Sequence, residues 1–255
     1  MSQTPGGSYP HPLRYYRRLA TRKGRLEAGA FAVEGERAVG QVVGSHPQAV
    51  LEIVSVEGMP SPFPRYPHRT LTEGQFRHIS TSRTPQGILA VVRLPMETYS
   101  ASLPPECGPK VLLLEDVQDP GNVGTLVRTA AAFGFTGIIL TDKCADPFSP
   151  KCVQSTAGSV LSLWQRRTTE YLSMVGDLRH RGYFLLAADL DGDEDTTVCA
   201  RDRLVLALGN EAAGLSADLI GIADYRLRLP TVADKVESLN VAACGAILMY
   251  LSTVP

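Results

Sequence analysis

Several features that define common protein classes are scarce or missing in this chain. It has only five cysteines in 255 residues, without any C-x-x-C spacing, which argues against a disulfide framework or a structural zinc site. Apolar runs such as Val111–Leu114 end within a few residues, far short of the roughly 20 that span a bilayer. Residues 1–10 lack the apolar segment of a secretory signal. We therefore expect no metal, a flexible N-terminus and a cytoplasmic protein.

Two nucleotide-binding signatures are also absent. The chain contains neither a G-K-[ST] sequence nor a G-x-G-x-x-G sequence. The first absence excludes a phosphate-loop ATPase, and the second argues against a dinucleotide-binding fingerprint. The composition, 44% hydrophobic and 20% charged, is that of an ordinary globular protein.

The net charge of −1 conceals two halves of opposite sign. Residues 1–100 contain 12 Lys and Arg against 7 Asp and Glu, whereas residues 101–255 contain 13 against 19. The positive charge of the first half is concentrated in one run without acids, in which Tyr15 and Tyr16 are interleaved; its basic members are Arg14, Arg17, Arg18, Arg22, Lys23 and Arg25. Such a run is typical of a surface that contacts nucleic-acid phosphates. The alternative is a solvated helix face.

The pattern of strands and helices predicts two α/β domains joined by a proline-rich linker at residues 95–109. In residues 11–94 we expect a small α/β domain, with a helix near 36–43 and strands at 50–56 and 88–92. Residues 110–255 alternate strand and helix more regularly, which favours a mostly parallel sheet with helices on both faces. Ligands of such sheets bind at the carboxyl ends of the strands.

The first of three chemically interesting stretches is Glu115–Ala130. Asp119-Pro120-Gly121 is a turn signal, and Asn122 is a natural N-cap for the helix that follows. On that helix, Arg128 faces away from the expected apolar stripe. Its guanidinium suits a phosphate, although a structural ion pair with Asp116 or Asp119 is an equally good interpretation.

The second and third stretches are Ala207–Leu215 and Leu229–Ala246. In the second, Gly209 and Gly214 allow a ligand to approach the backbone, and Glu211 follows the end of a strand. In the third, Ser238 is a candidate helix cap and Asn240 is a polar residue beside it. Taken singly, each stretch also fits a purely structural turn or a tightly packed terminal helix.

Together, in this order and at this spacing, the three stretches resemble the three motifs of the SpoU (TrmH-like) branch of the SPOUT RNA methyltransferases. The resemblance covers Val111–Leu251, and Ser155–Ser159 matches a further family segment. Phe31–Gly35 and Thr84–Val92 resemble the ribosomal-protein-L30e-like substrate-binding domain that many members carry.

The resemblance implies transfer of a methyl group from S-adenosylmethionine (AdoMet) to a ribose 2′-hydroxyl of RNA. It assigns catalytic roles to Asn122, Arg128, Glu211, Ser238 and Asn240. It assigns cofactor contacts to five apolar or small residues, which are Ala188, Leu208, Gly209, Leu229 and Leu239. We expect the basic run to bind RNA, with large-subunit ribosomal RNA favoured over transfer RNA because of the L30e-like domain. A non-catalytic RNA-binding protein and a base methyltransferase on the same fold are the alternatives.

The resemblance also implies a C-terminal trefoil knot and a homodimer with the site at its interface, neither of which follows from the sequence pattern. One segment departs from the family. Members usually have Ile-Pro-Met and then glycine before Ser-Leu-Asn, whereas this chain has Leu229-Pro230-Thr231 followed by residues 232–237 without glycine. We expect the cofactor loop to differ locally there.

Overall fold

The computed structural model describes residues 11–59, 63–231 and 238–253. The chain forms two compact units. The first contains the described residues up to Met96 together with Asp146–Leu161, and the second contains Glu97–Ala145 and the described residues from Ser162 onward. The expected Thr231–Glu237 deviation lies, apart from Thr231, outside the described residues, and so does the N-terminal segment 1–10.

The helices and strands follow one another along the chain in two series. Up to residue 96 they are α1 (Leu13–Arg18), α2 (Arg22–Ala28), β1 (Ala30–Glu34), α3 (Glu36–Ser45), β2 (Val50–Val56), β3 (His68–Leu71), α4 (Glu73–Ile79) and β4 (Ile88–Arg93). After it they are β5 (Lys110–Leu114), α5 (Pro120–Ala132), β6 (Gly137–Thr141), α6 (Pro150–Thr156), β7 (Trp164–Thr168), α7 (Tyr171–His180), β8 (Phe184–Asp193), β9 (Leu204–Leu208), α8 (Ala217–Ile222), β10 (Tyr225–Leu227) and α9 (Val241–Leu251).

The first unit is built on a four-stranded sheet in the order β1-β4-β2-β3. Strand β4 pairs antiparallel with both β1 and β2, and β2 pairs parallel with β3. One face of the sheet covers an apolar cluster that includes Tyr16, Phe76 and Val91. The small α/β domain expected from the sequence is present, with β3 and α4 as elements that the pattern did not reveal.

Helix α6 packs on β1 in the first unit, although the sequence boundary at residue 110 would assign it to the second domain. The packing is specific: Phe148 lies against Phe31 with ring centroids 4.9 Å apart. The guanidinium of Arg25 donates to the Asp146 carboxylate at 2.6 Å. Aromatic contact and a buried ion pair thus hold a segment of distant sequence on this sheet.

The second unit contains a six-stranded sheet in the order β10-β8-β9-β5-β6-β7, in which every pair is parallel. Alternate strand residues point to opposite faces. Val111, Leu113 and Val205 pack with α7 and α8. On the other face, helices α5 and α9 pack together, and Gly245 of α9 lies so close to Leu126 and Leu208 that a Cβ would be 2.4 and 2.6 Å from their side chains. The predicted parallel sheet with helices on both faces is confirmed; the knot stays a prediction.

Most of the predicted linker, residues 97–109, belongs to the second unit and is held there by side chains. Arg166 donates to the Ser102 carbonyl at 2.7 Å, and Arg181 donates to the Pro104 carbonyl. Thr98 and Cys107 are buried. In the part of the chain that is described, no helix is both long and apolar enough to cross a membrane.

Candidate active site

Polar residues from three loops meet at the carboxyl edge of the parallel sheet. One loop connects β5 to α5, the second follows β9, and the third leads into α9. Because β5 and β9 are neighbours in the sheet, the loops that follow them are adjacent. Packing of α9 against α5 brings Asn240, the residue before α9, to the same place. The topology therefore assembles stretches that lie up to about 120 residues apart in the sequence.

Two side-chain hydrogen bonds join these loops. The Asn122 amide nitrogen donates to Oε1 of Glu211 at 2.8 Å, and the Asn240 amide nitrogen donates to Oδ1 of Asn122 at 3.2 Å. All three side chains are reachable from solvent at this edge. The structure thus brings together three of the five predicted catalytic residues in one chain of hydrogen bonds.

The helix caps differ from the two that were expected, and the difference explains how the site is oriented. Asp119, not Asn122, caps α5, because its carboxylate accepts from the backbone nitrogens of Gly121 and Asn122. Pro120 occupies the first helical position, which it favours because it has no N–H to satisfy. Asn240, not Ser238, caps α9 through the nitrogens of Ala242 and Ala243. The Asn122 side chain is consequently free to reach Glu211.

Asn210 is a positioning residue that the sequence reasoning did not select. Its carbonyl oxygen accepts from the backbone nitrogens of Ala212 and Ala213, and its amide nitrogen donates to the Asp116 carbonyl at 2.8 Å. Its own backbone pairs with Gly214. These bonds fix the turn that carries Glu211 and attach it to the β5–α5 loop. Its position between Gly209 and Glu211 was the available signal.

The β5–α5 loop has an unusual backbone conformation at Asp116, where φ is +57°. Positive φ is uncommon outside glycine, and Asp tolerates it better than most residues. Thr141 stabilises it by donating to the Asp116 carboxylate at 2.6 Å and accepting from the Asp116 nitrogen. Nearby, the buried Glu115 accepts from Tyr171 and from the Ser216 nitrogen. Burial and this carboxylate raise the pKa of Tyr171 to about 12, so its hydroxyl stays a donor at neutral pH.

Beside the polar network lies a pocket of about 300 Å³. Its lining includes all five residues predicted to bind the cofactor, and also Glu211 and Ser238. Gly209, which lines the pocket, has no room for a side chain, because a Cβ would lie 2.2 Å from the Gly214 carbonyl carbon. Cys244 also lines it, and burial raises the pKa of that thiol to about 11, so it is uncharged at neutral pH.

Arg128 stands apart from this network. It is exposed on α5, six residues after Asn122, which is about 9 Å farther along the helix axis. Among the described residues it has no hydrogen-bond or ion-pair partner. Of the two carboxylates proposed as structural partners, Asp116 pairs with Lys143 and Thr141, and Asp119 caps its own helix. The structural ion pair is therefore not formed with either.

The basic run occupies α1 and α2 in the first unit. Arg14, Arg17, Arg18, Arg22 and Lys23 are exposed. Arg18 and Lys23 share Glu27 as an ion-pair partner, and Arg17 contacts His78 at 3.1 Å. Arg25 is different: it is 2% exposed and donates to the carbonyls of Leu19 and Ala20 as well as to Asp146. Its predicted RNA contact does not fit this position, because the guanidinium is enclosed and already bonded.

Known proteins resemble this chain over both units. Residues 109–250 match the SpoU rRNA Methylase family, and residues 11–90 match the MRM3-like substrate binding domain. A 23S rRNA (guanosine(2553)-2′-O)-methyltransferase of Bacillus subtilis, RlmP, is 34% identical over 241 residues, covering 92% of this chain and 93% of that protein.

Solved structures agree over almost the whole length. The SpoU methyltransferase AviRb from Streptomyces viridochromogenes in complex with AdoMet superposes with a TM-score of 0.81 at 26% identity, covering 94% of this chain and 96% of that one. An AdoMet-bound rRNA methyltransferase from Sinorhizobium meliloti gives a TM-score of 0.79 at 28% identity, covering 97% and 96%. Since the family match spans more than half of the chain and the three motif loops meet in one site, the chain belongs to the SpoU rRNA methylase family.

Proposed function

We propose that the protein transfers a methyl group from AdoMet to a ribose 2′-hydroxyl of 23S ribosomal RNA in the cytoplasm. The observation that carries this proposal is the hydrogen-bonded series Asn240–Asn122–Glu211 at the rim of the 300 Å³ pocket, in a member of the SpoU family. The Bacillus subtilis relative, a 23S rRNA 2′-O-methyltransferase, supports the 2′-hydroxyl and the large-subunit RNA.

The residues that line the pocket suit AdoMet. When bound, AdoMet supplies a methyl group activated on a positively charged sulfonium. Leu208, Leu229 and Leu239 provide apolar walls, while Gly209 and Ala188 leave the backbone accessible to polar parts of the cofactor. A mostly apolar cavity with a few polar groups is the usual form of a cofactor site.

The polar network would prepare the ribose hydroxyl. Because a hydroxyl is a poor nucleophile, its proton must move to an acceptor as it reacts. Glu211 is exposed at the pocket rim and holds one carboxylate oxygen toward Asn122, which leaves the other oxygen available as that acceptor. Asn122 and Asn240 fix its orientation. Arg128 stays protonated, so we assign it to the RNA phosphate and to the developing negative charge rather than to proton removal.

The choice of RNA is tested by incubating the full chain with radiolabelled AdoMet and separate pools of deproteinised 23S, 16S and transfer RNA. We expect label in the 23S pool only. Label confined to transfer RNA would replace the proposed substrate but keep the chemistry. Absence of label from every pool, together with no heat of AdoMet binding in calorimetry, would favour a non-catalytic RNA-binding protein.

We assign RNA affinity to the five exposed basic residues of α1 and α2. A triple variant in which Arg14, Arg17 and Arg22 are each replaced by Glu should bind 23S rRNA at least about 10-fold more weakly near physiological salt. Each lost phosphate contact also removes the free energy of releasing a counterion from the RNA. The slope of log affinity against log salt should become shallower in a filter-binding titration. Equal affinity and an equal slope for the triple variant and the wild type would contradict this assignment.

A homodimer through α9 is a further part of this proposal. The outward face of α9 is apolar, with Ile247 and Tyr250 exposed by 42% and 54%. Such a face on a terminal helix is typical of an interface. Sedimentation equilibrium should give twice the chain mass for the wild type and the single-chain mass for Ile247→Asp. A monomeric wild type at micromolar concentration would overturn it.

A further inference from the structure

The first unit contains a second cavity, which the function described above does not use. It measures about 260 Å³ and lies where the start of α3, the loop between α4 and β4, and helix α6 come together. Its floor is apolar and includes Leu19, Ile79, Leu89, Phe148 and Val153. We call it the α3 pocket. It is distinct from the candidate AdoMet pocket, which lies wholly in the second unit.

The rim of the α3 pocket is polar, and most of its side chains make no hydrogen bond to another described residue. Arg37, Thr81, Thr84, Gln86 and Gln154 line it and are exposed. Among the described residues, the side chains of Arg37, Thr84 and Gln154 have no hydrogen-bond partner. Gln86 uses only its carbonyl oxygen, which accepts from the Glu36 nitrogen at 3.0 Å. The rim can therefore both donate and accept hydrogen bonds around an apolar floor.

Contacts within the first unit hold the α3 pocket in shape. Gly35 has φ of +101°, and a Cβ there would lie 3.0 Å from Oε1 of Gln86, so this backbone form lets the Gln86 side chain cross the start of α3. Glu34 also lines the pocket, and its carboxylate accepts from Ser80 and from the Thr81 nitrogen. Just after α6, a Cβ on Gly158 would lie 2.8 Å from the Ala38 carbonyl oxygen, so the two backbones approach closely there. The walls are thus fixed by the protein itself.

We propose that the α3 pocket binds a single unpaired nucleobase of the RNA substrate. Its volume of about 260 Å³ lies just below the usual range of small-molecule sites, about 300–1,000 Å³, so it can take a group of the size of one base. A base has an apolar face and a hydrogen-bonding edge, and unpaired bases in RNA loops are what proteins recognise in sequence-specific RNA binding. The inference rests on the proposed function for the identity of the RNA.

Charge in this unit favours a nucleic-acid occupant. Residues 11–96 contain 12 Lys and Arg against 6 Asp and Glu, and Asp146–Leu161 adds one of each sign. Arg37 at the rim and Arg83 in the adjoining loop are both exposed, and neither has a partner among the described residues. They are placed to attract the phosphates that flank an inserted base. The match of residues 11–90 to a substrate binding domain agrees with this use.

The test compares Thr84→Trp, which places a bulky ring at the mouth of the pocket, with Gln48→Trp, an exposed position in the same unit that does not line it. Binding of deproteinised 23S rRNA to the full chain is measured by filter binding, and AdoMet affinity is measured in parallel. We expect about 10-fold weaker RNA binding for Thr84→Trp, since one base–protein stacking contact is of that order. The control should stay within about twofold, and both variants should bind AdoMet normally.

Two further measurements keep the result interpretable. Arg37→Ala, at an exposed helical position that tolerates alanine, should also weaken RNA binding, by about fivefold. Crosslinking of 23S rRNA containing 4-thiouridine should label peptides within residues 81–86 or 148–157. Unchanged RNA affinity in both Thr84→Trp and Arg37→Ala, or crosslinks confined to α1 and α2, would overturn the pocket. A wild type that binds this RNA without methylating it would instead contradict the proposed function alone.

Discussion

Alanine at position 128 is expected to lower methyl transfer at saturating RNA and AdoMet by about 10²- to 10³-fold, the usual cost of removing one group that stabilises charge in a transition state. Arg128 is exposed, belongs to the helix that carries Asn122, and has no partner among the described residues. Because none of the described residues binds its guanidinium, we expect Arg128 to be available to the RNA. Single-turnover rates with labelled AdoMet measure the effect.

The control for this variant is Thr125→Ala, an exposed position three residues earlier on the same helix. It should retain the wild-type rate to within about twofold. AdoMet affinity should be equal in Arg128→Ala and in the wild type, because Arg128 does not line the candidate AdoMet pocket. A single-turnover rate within threefold of the wild type for Arg128→Ala would remove Arg128 from the catalytic assignment.

Replacing Arg25 with alanine should lower the free energy of unfolding by about 3–5 kcal/mol, the range for breaking a buried ion pair from one side. The guanidinium is 2% exposed and its partner Asp146 is 11% exposed. The change would leave the Asp146 carboxylate and the carbonyls of Leu19 and Ala20 without their donor. Urea denaturation followed by circular dichroism measures the loss.

The matched variant is Arg77→Ala, which removes an ion pair with Glu73 whose side chains are 72% and 76% exposed. That pair links positions i and i+4 of a helix and should contribute less than about 0.5 kcal/mol. Similar unfolding free energies for the two variants would show that Arg25 does not hold the Asp146–Leu161 segment in place.

Patterns that depend on local chemistry were readable from the sequence. The strand at 50–56 has the bounds that its apolar pattern predicts, and the strand at 88–92 and the helix near 36–43 begin at the predicted residues. The three motif stretches could be located because glycine, asparagine and glutamate follow predicted strands. The contacts between these stretches could not be predicted, because they join distant positions. The Asn122–Glu211 hydrogen bond spans 89 residues of sequence, and the Asn240–Asn122 hydrogen bond spans 118.

Features that depend on tertiary structure were the ones missed. In the sequence Arg25 is one more member of a basic run. Its structural role depends on the hydrogen bond to Asp146, which lies 121 residues away. The helix caps were misplaced because Asp119, Asn122, Ser238 and Asn240 all have the chemistry of a cap, and packing decides between neighbours. Helix α6 lies on the first unit because Phe148 and Asp146 have partners there, which no linker signal reveals.

The central claim is that the methyl group enters a ribose 2′-hydroxyl, and the most direct measurement is the position of the label in the RNA product. Wild-type protein is incubated with methyl-labelled AdoMet and 23S rRNA, and the RNA is then hydrolysed with alkali. A 2′-O-methyl group blocks cleavage at its own linkage, so we predict that the label is recovered in a single alkali-resistant dinucleotide. Recovery of the label in mononucleotides would place the methyl group on a base and contradict the assignment of this site to ribose methylation.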